Sequence, residues 1–285
     1  MDHRGRRDDE TSARRRRFAE AAREDRPDLA ALCLLICAEA EGGLPEAAVD
    51  AAQIELDDLA GRLPALGRHA PPRRWAEAVA ELLGGRCGFH GTPADYRRLE
   101  SSLLHEVLRR RRGLPILLSV VWMEVARRAG APVYGVALPG HFVVGFGEPW
   151  GRHVLADPFD GGRPLSAEDA ALLVAGATGT TLTPEAFSPA DPLEIVARVL
   201  NNIRAWAAAR PERSDVQLWA VELSLLLPSH PARLRYERAE LLVERGEFAR
   251  GARELEEYAD VIAPVEPDTA ESVRHRALAA RAMLN

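Results

Sequence analysis

The sequence predicts an α+β fold: a helical N-terminal part, a long helix set against a small antiparallel sheet, and an α-helical tail. Three observations carry that expectation. The run Ile116 to Ala129 is apolar almost throughout and long enough for a buried helix. Short extended pieces follow it at once, parted by turn residues. From Pro192 onward the apolar residues return to helical spacing.

Residues 1–26 are dominated by charge and are expected to be disordered or loosely helical, since little there can be buried. From Pro27 to about Leu63, the spacing of Leu32, Leu35, Ile36, Val49, Ile54, Leu56 and Leu59 suits two helices. The Glu-Gly-Gly-Leu-Pro segment at 41–45 parts them. Trp75 to Leu83 reads as another helix, with Gly84-Gly85 where a C-cap wants glycine. The segment Arg86 to Arg98 is polar and rich in turns, and a helix runs from Leu103 to Arg112. Pro115 opens the long helix and Gly130 closes it, proline inside the start and glycine past the end. Val133 to Leu138, Phe142 to Phe146 and His153 to Ala156 then form a meander. In the tail, Ala232 to Pro264 reads as a helix pair turning near Gly246, and Leu200 to Pro228 as a weaker version. Pro228 and Pro264 lie 36 residues apart, close to the ~34-residue tetratricopeptide period. The expected organisation is a lead-in over 1–26, a core domain over 27–191 and a helical tail over 192–285.

Composition prunes the function classes. All 37 basic residues are arginine. Without lysine there can be no phosphate-loop GK[ST], no pyridoxal Schiff base and no lysine general base, and no cofactor is expected. A net charge of -6 argues against a nucleic-acid partner. The basic run Arg109 to Arg112 reads as a solvated helix end. The longest apolar run, Leu29 to Ala38, is about half of what a bilayer needs, and the N-terminus offers no signal-peptide core. No membrane association is expected, and the location is expected to be cytoplasmic. Three cysteines make no disulfide framework. Cys33 and Cys37, four apart, read as small apolar residues of one helix face.

Cysteine-type acyl transfer needs a thiolate at a helix N-terminus, an imidazole to hold its proton and a carboxylate to orient the ring. Two of these parts are readable. His141 follows the Pro139-Gly140 turn, and Asp157 ends the next strand; adjacent antiparallel strands would let them meet. Either residue alone is as readily explained as a turn residue. Ser119 and Cys87 are the other candidate nucleophiles. Cys87 with His90 is half of a metal site with no second half spaced to complete it, so no metal is expected. A metal-assisted reading on His141, Asp157 and Asp160 lacks a second histidine.

The stretch Ser101-Ser102-Leu103-Leu104-His105-Glu106-Val107-Leu108, with Arg111-Arg112-Gly113-Leu114-Pro115-Ile116-Leu117-Leu118-Ser119, resembles the SirB1 family pattern. So do Leu138-Pro139-Gly140-His141-Phe142, Asp157-Pro158-Phe159-Asp160-Gly161-Gly162 and Ile195-Val196-Ala197-Arg198-Val199-Leu200-Asn201-Asn202. The resemblance covers roughly residues 27–280. It implies a papain/transglutaminase-like core followed by tetratricopeptide repeats. Ser101 and Thr92 stand where the family usually has asparagine. In active relatives a Gly-x-Cys begins the core helix some fifteen residues before a Gly-Ile-Pro turn. Counting back from Gly130-Ala131-Pro132 reaches Pro115, which has no nucleophile, while His141 and Asp157 map onto the remaining triad positions. Two functions follow. One is a degenerate domain that binds a peptide or protein, with the tail presenting a partner groove. The other is a hydrolase or acyltransferase using Ser119, or less readily Cys87, with His141 and Asp157, or else a water activated by His141. Oligomeric state is left open.

Overall fold

The computed structural model describes residues 3–67 and 69–284. By packing it divides into two compact units. The first is the chain up to Arg17 with Glu24–Val199; the second is Phe18–Arg23 with the chain from Leu200.

The lead-in is a regular helix, α1 (His3–Ala21). Its arginines and glutamates are good helix formers, and Arg15 pairs with the buried Glu39 at 2.6 Å. Phe18 is fully buried, the apolar anchor that a charge-based reading undervalues. Helices α2 (Leu29–Ala40) and α3 (Glu46–Gly61) follow. The Oδ1 atom of Asp28 accepts from the Ala31 amide at 2.9 Å, an N-cap that fixes where α2 starts. Helix α4 (Pro72–Ala80) does not stop at Gly84-Gly85: the chain continues as a π-helical turn over Glu81–Arg86. Gly84 is glycine for another reason than a cap. A Cβ there would lie 1.9 Å from the carbonyl oxygen of Gly161.

Two short 3-10 turns lead to α5 (Leu104–Arg110) and α6 (Pro115–Arg128). Every residue of α6 from Pro115 to Ala126 is buried, each large side chain contributing ~1.5–3 kcal/mol. The sheet is an antiparallel meander, β1 (Val133–Val136), β2 (Val143–Gly147), β3 (His153–Asp157) and β4 (Arg163–Leu165), in that spatial order. The fourth strand was absent from the sequence-based meander; at three residues it is too short to show an alternation. Side chains alternate across the sheet. Gly135 faces Met123 of α6, where an added Cβ would meet its sulfur at 3.0 Å. Val136, Val143, Leu155 and Leu165 face the other way, onto Ala170 and Val174 of α7 (Ala167–Thr178). Both faces are covered, so all of β2 is buried.

Helix α8 (Pro192–Ala208) passes from the first unit into the second. There, α9 (Ser214–Ser224), α10 (Arg233–Glu244), α11 (Phe248–Ile262) and α12 (Pro267–Ala282) pack in sequence. Gly246, at φ 81°, makes the expected turn between α10 and α11. Leu234, Ala239, Leu242 and Leu255 are buried between these helices, and Phe248 and Tyr258 are half-buried. Among the described residues, no helix is long and apolar enough to cross a membrane.

Candidate functional site

The geometry starts at the first turn of α6. Pro115 occupies its first position, after an extended Leu114 with no side-chain cap. One turn on, the buried Ser119 hydroxyl donates to the carbonyl of Phe142 at 3.3 Å. The chain before Phe142 is a tight turn, closed by the His141 amide donating to the Leu138 carbonyl at 3.2 Å. Gly140 carries it through φ 70°, where a side chain would be strained.

At the end of β3, Asp157 is held on two sides. Its Oδ1 accepts from the Phe159 amide at 2.9 Å, and its Oδ2 lies 3.0 Å from Nε2 of His141. The two side chains, His141 and Asp157, are 10% and 3% exposed. A carboxylate in its ionised form only accepts, so in that pairing Nε2 is the donor, and a ring carrying its one hydrogen there has a lone pair at Nδ1. Among the described residues Nδ1 has no hydrogen-bond partner.

Phe159 stands edge-on to His141, with ring centroids 6.0 Å apart, and its centroid lies 6.1 Å from that of Tyr96. Burial, and then the charge of Asp157, push the Tyr96 phenol above its ordinary pKa. Gly91 backs this row: a Cβ there would fall 2.0 Å from the Phe159 ring. Neither Tyr96 nor Gly91 was singled out from sequence, because a polar, turn-rich segment carries no periodicity to mark its contacts.

The same segment is anchored by Asp95, which accepts from the Thr92 amide at 2.9 Å, from Arg112 at 3.0 Å and from the Ser101 hydroxyl at 3.3 Å. Burial opposes the charge on Asp95, but the bonds from Arg112 and Thr92 outweigh it and hold its pKa below the usual value. Thr92 and Ser101 thus serve one carboxylate. Of the basic run, Arg109 is exposed as expected of a solvated helix end, while Arg110, Arg111 and Arg112 are half-buried. Arg109 pairs with Glu106 at 2.7 Å and Arg112 with Asp95, while Arg110 lies 3.6 Å from Asp95 and Arg111 pairs with Glu55. These arginines tie α5 and its exit to acids rather than presenting a basic patch.

The remaining candidates do not meet the imidazole. Ser119 is engaged with Phe142, and Cys87, partly exposed after the π-helical turn, makes no hydrogen bond with His141 among the described residues. Asp160 turns to Arg163 at 2.8 Å. Burial pushes the Cys37 thiol up to about 12 and the Cys33 thiol well above its usual value, so both stay protonated.

In the second unit, a groove of about 770 Å³ runs between α8, α9 and α10. Glu237 on its wall accepts from Arg204 at 2.9 Å and from Gln217 at 3.3 Å.

A family profile described as "Transglutaminase-like superfamily" matches residues 50–201, more than half of the chain. The chain belongs to the transglutaminase-like superfamily. A second profile, "Tetratricopeptide repeat", matches residues 203–285, and such repeats generally mediate protein–protein interaction. A UPF0162 protein of Xylella fastidiosa is 33% identical over 186 residues, 64% of this chain and 66% of that protein. A UPF0162 protein of Pseudomonas aeruginosa is 34% identical over 163 residues, 55% of this chain and 58% of its own length. The human F-box only protein 21 is 24% identical over 166 residues, 54% of this chain but 25% of that protein. The superfamily match contains the whole His141–Asp157 constellation, and the repeat match contains helices α9 to α12.

Proposed function

We propose that this chain is a SirB1-like, cytoplasmic binding module. Its transglutaminase-like domain is degenerate and retains His141 and Asp157 to hold a peptide or protein segment, while the tetratricopeptide helices present a groove to a partner. One observation supports this above the rest. The imidazole is oriented by Asp157 as a general base would be, yet no hydroxyl or thiol is hydrogen-bonded to its other nitrogen among the described residues. A ring held in this way can accept a hydrogen bond from a ligand without having a nucleophile to activate.

The rival reading is a hydrolase or acyltransferase using Ser119, or less readily Cys87. It draws on the position of Ser119, which bonds the residue next to His141. Acyl-ester and peptide-amide turnover separates the two. The binding reading predicts no turnover that falls in His141→Ala, together with weaker capture of peptide partners by that variant. Turnover abolished by both His141→Ala and Ser119→Ala would replace it with the enzyme.

A further inference from the structure

Each half of the His141–Asp157 pair must be held in place, and the two are held differently. Asp157 is fixed locally, by the Phe159 amide at 2.9 Å and by its own carbonyl, which accepts from Gly162 at 2.7 Å. Beyond the single bond that closes its turn, no hydrogen bond so close in sequence holds His141 among the described residues. Its backbone is gripped from α8, 57 residues on: Nη2 of Arg198 donates to the carbonyl of His141 at 3.1 Å and to that of Leu138 at 2.9 Å. Those carbonyls are the two ends of the turn that delivers the ring. The Arg198 guanidinium also lies 5.7 Å from the centroid of the Phe142 ring.

Arg198 faces no carboxylate among the described residues, although burial pulls its pKa down from the ordinary value. A guanidinium without an acid is costly to bury. Two carbonyls, both bonded by the one nitrogen Nη2, and an aromatic face offset that cost. A lysine ammonium would bring a point charge but not the planar guanidinium that lies over the Phe142 ring.

We propose that Arg198 is the positioning residue of the site: it fixes the Leu138–His141 turn so that the imidazole reaches Asp157. The inference rests on the proposed function only in taking that pair as the site, and its test involves no ligand.

The imidazole Nε2–H bonded to Asp157 should give a slowly exchanging resonance in ¹⁵N-histidine-labelled full-length protein, assigned by its loss in Asp157→Ala. In Arg198→Met, which keeps an apolar stem, the exchange of that proton should quicken by about five- to ten-fold, the scale of one net hydrogen bond. Arg198→Lys should fall between, and it serves as the folded variant if Arg198→Met does not fold. Val196→Ala, at a buried position on α8, should lower the melting temperature and leave the resonance unchanged. If Arg198→Met and Arg198→Lys lower stability yet exchange this proton at the wild-type rate, Arg198 is merely structural and the proposal fails.

Discussion

Two buried aspartates in the first unit, Asp95 and Asp157, sit in hydrogen-bond networks of different kinds. Asp95 is met on every side by groups that are themselves fixed: a backbone amide, two hydroxyls and Arg112. Asp157 commits one oxygen to a backbone amide and the other to an imidazole whose far nitrogen has no partner among the described residues. The first network is closed. The second ends on an open valence, which is what a ligand can complete.

The comparison breaks most visibly at Asp95. Asp95→Ala leaves Arg112, Thr92 and Ser101 without their shared acceptor. It should cost about 3 kcal/mol in urea unfolding, the lower end for a broken buried pair because Arg112 is partly exposed. The sign of the pH effect follows from the depressed pKa. The contribution of Asp95 is in full force above the unfolded-state value of ~3.9 and disappears as pH falls through the lower folded value. Asp95→Asn should therefore flatten the acid limb of the stability curve below about pH 4, and an unchanged acid limb would argue against the closed network.

Gly91→Ala probes the support of the open pair. Its methyl would collide with the Phe159 ring, an overpacking cost of about 1–3 kcal/mol. Because that ring stands beside His141, the imidazole Nε2–H should also exchange faster than in wild type. A stability loss without that change would detach the Phe159 row from the site.

These two networks were unequally legible in the sequence. Helix α6 was plain, because Pro115 and Gly130 punctuate a continuous apolar run. His141 and Asp157 could be singled out because they are the chemical residue types at the ends of neighbouring strands. Helix α7 was missed even though Ser166 and Asp169 form a capping box, a local signature its alanine-rich body does not otherwise announce. Arg198 looked like any arginine on an amphipathic helix. Its partner is a turn 57 residues away, which no local period encodes. Gly84 was legible as a glycine but not for its reason, the approach of Gly161, since close contacts between distant loops leave no pattern.

The smallest effect is expected at Ser119. Ser119→Ala removes one neutral bond to the Phe142 carbonyl and should cost ~0.5–1.5 kcal/mol. Partner capture should remain at the wild-type level. Lost capture with an intact fold would bring this hydroxyl into the site after all.

The central claim, that a dyad persists where the nucleophile does not, is tested most directly by putting a thiol at the head of α6. Acyl-ester turnover and iodoacetamide labelling should be compared in wild type, Pro115→Cys, and Pro115→Cys combined with His141→Ala. The account predicts no His141-dependent turnover in wild type. It predicts that the introduced thiol is reactive in the single variant, with a sharp loss of that reactivity when His141 is removed. Wild-type turnover that depends on His141, or an introduced thiol indifferent to the imidazole, would contradict it.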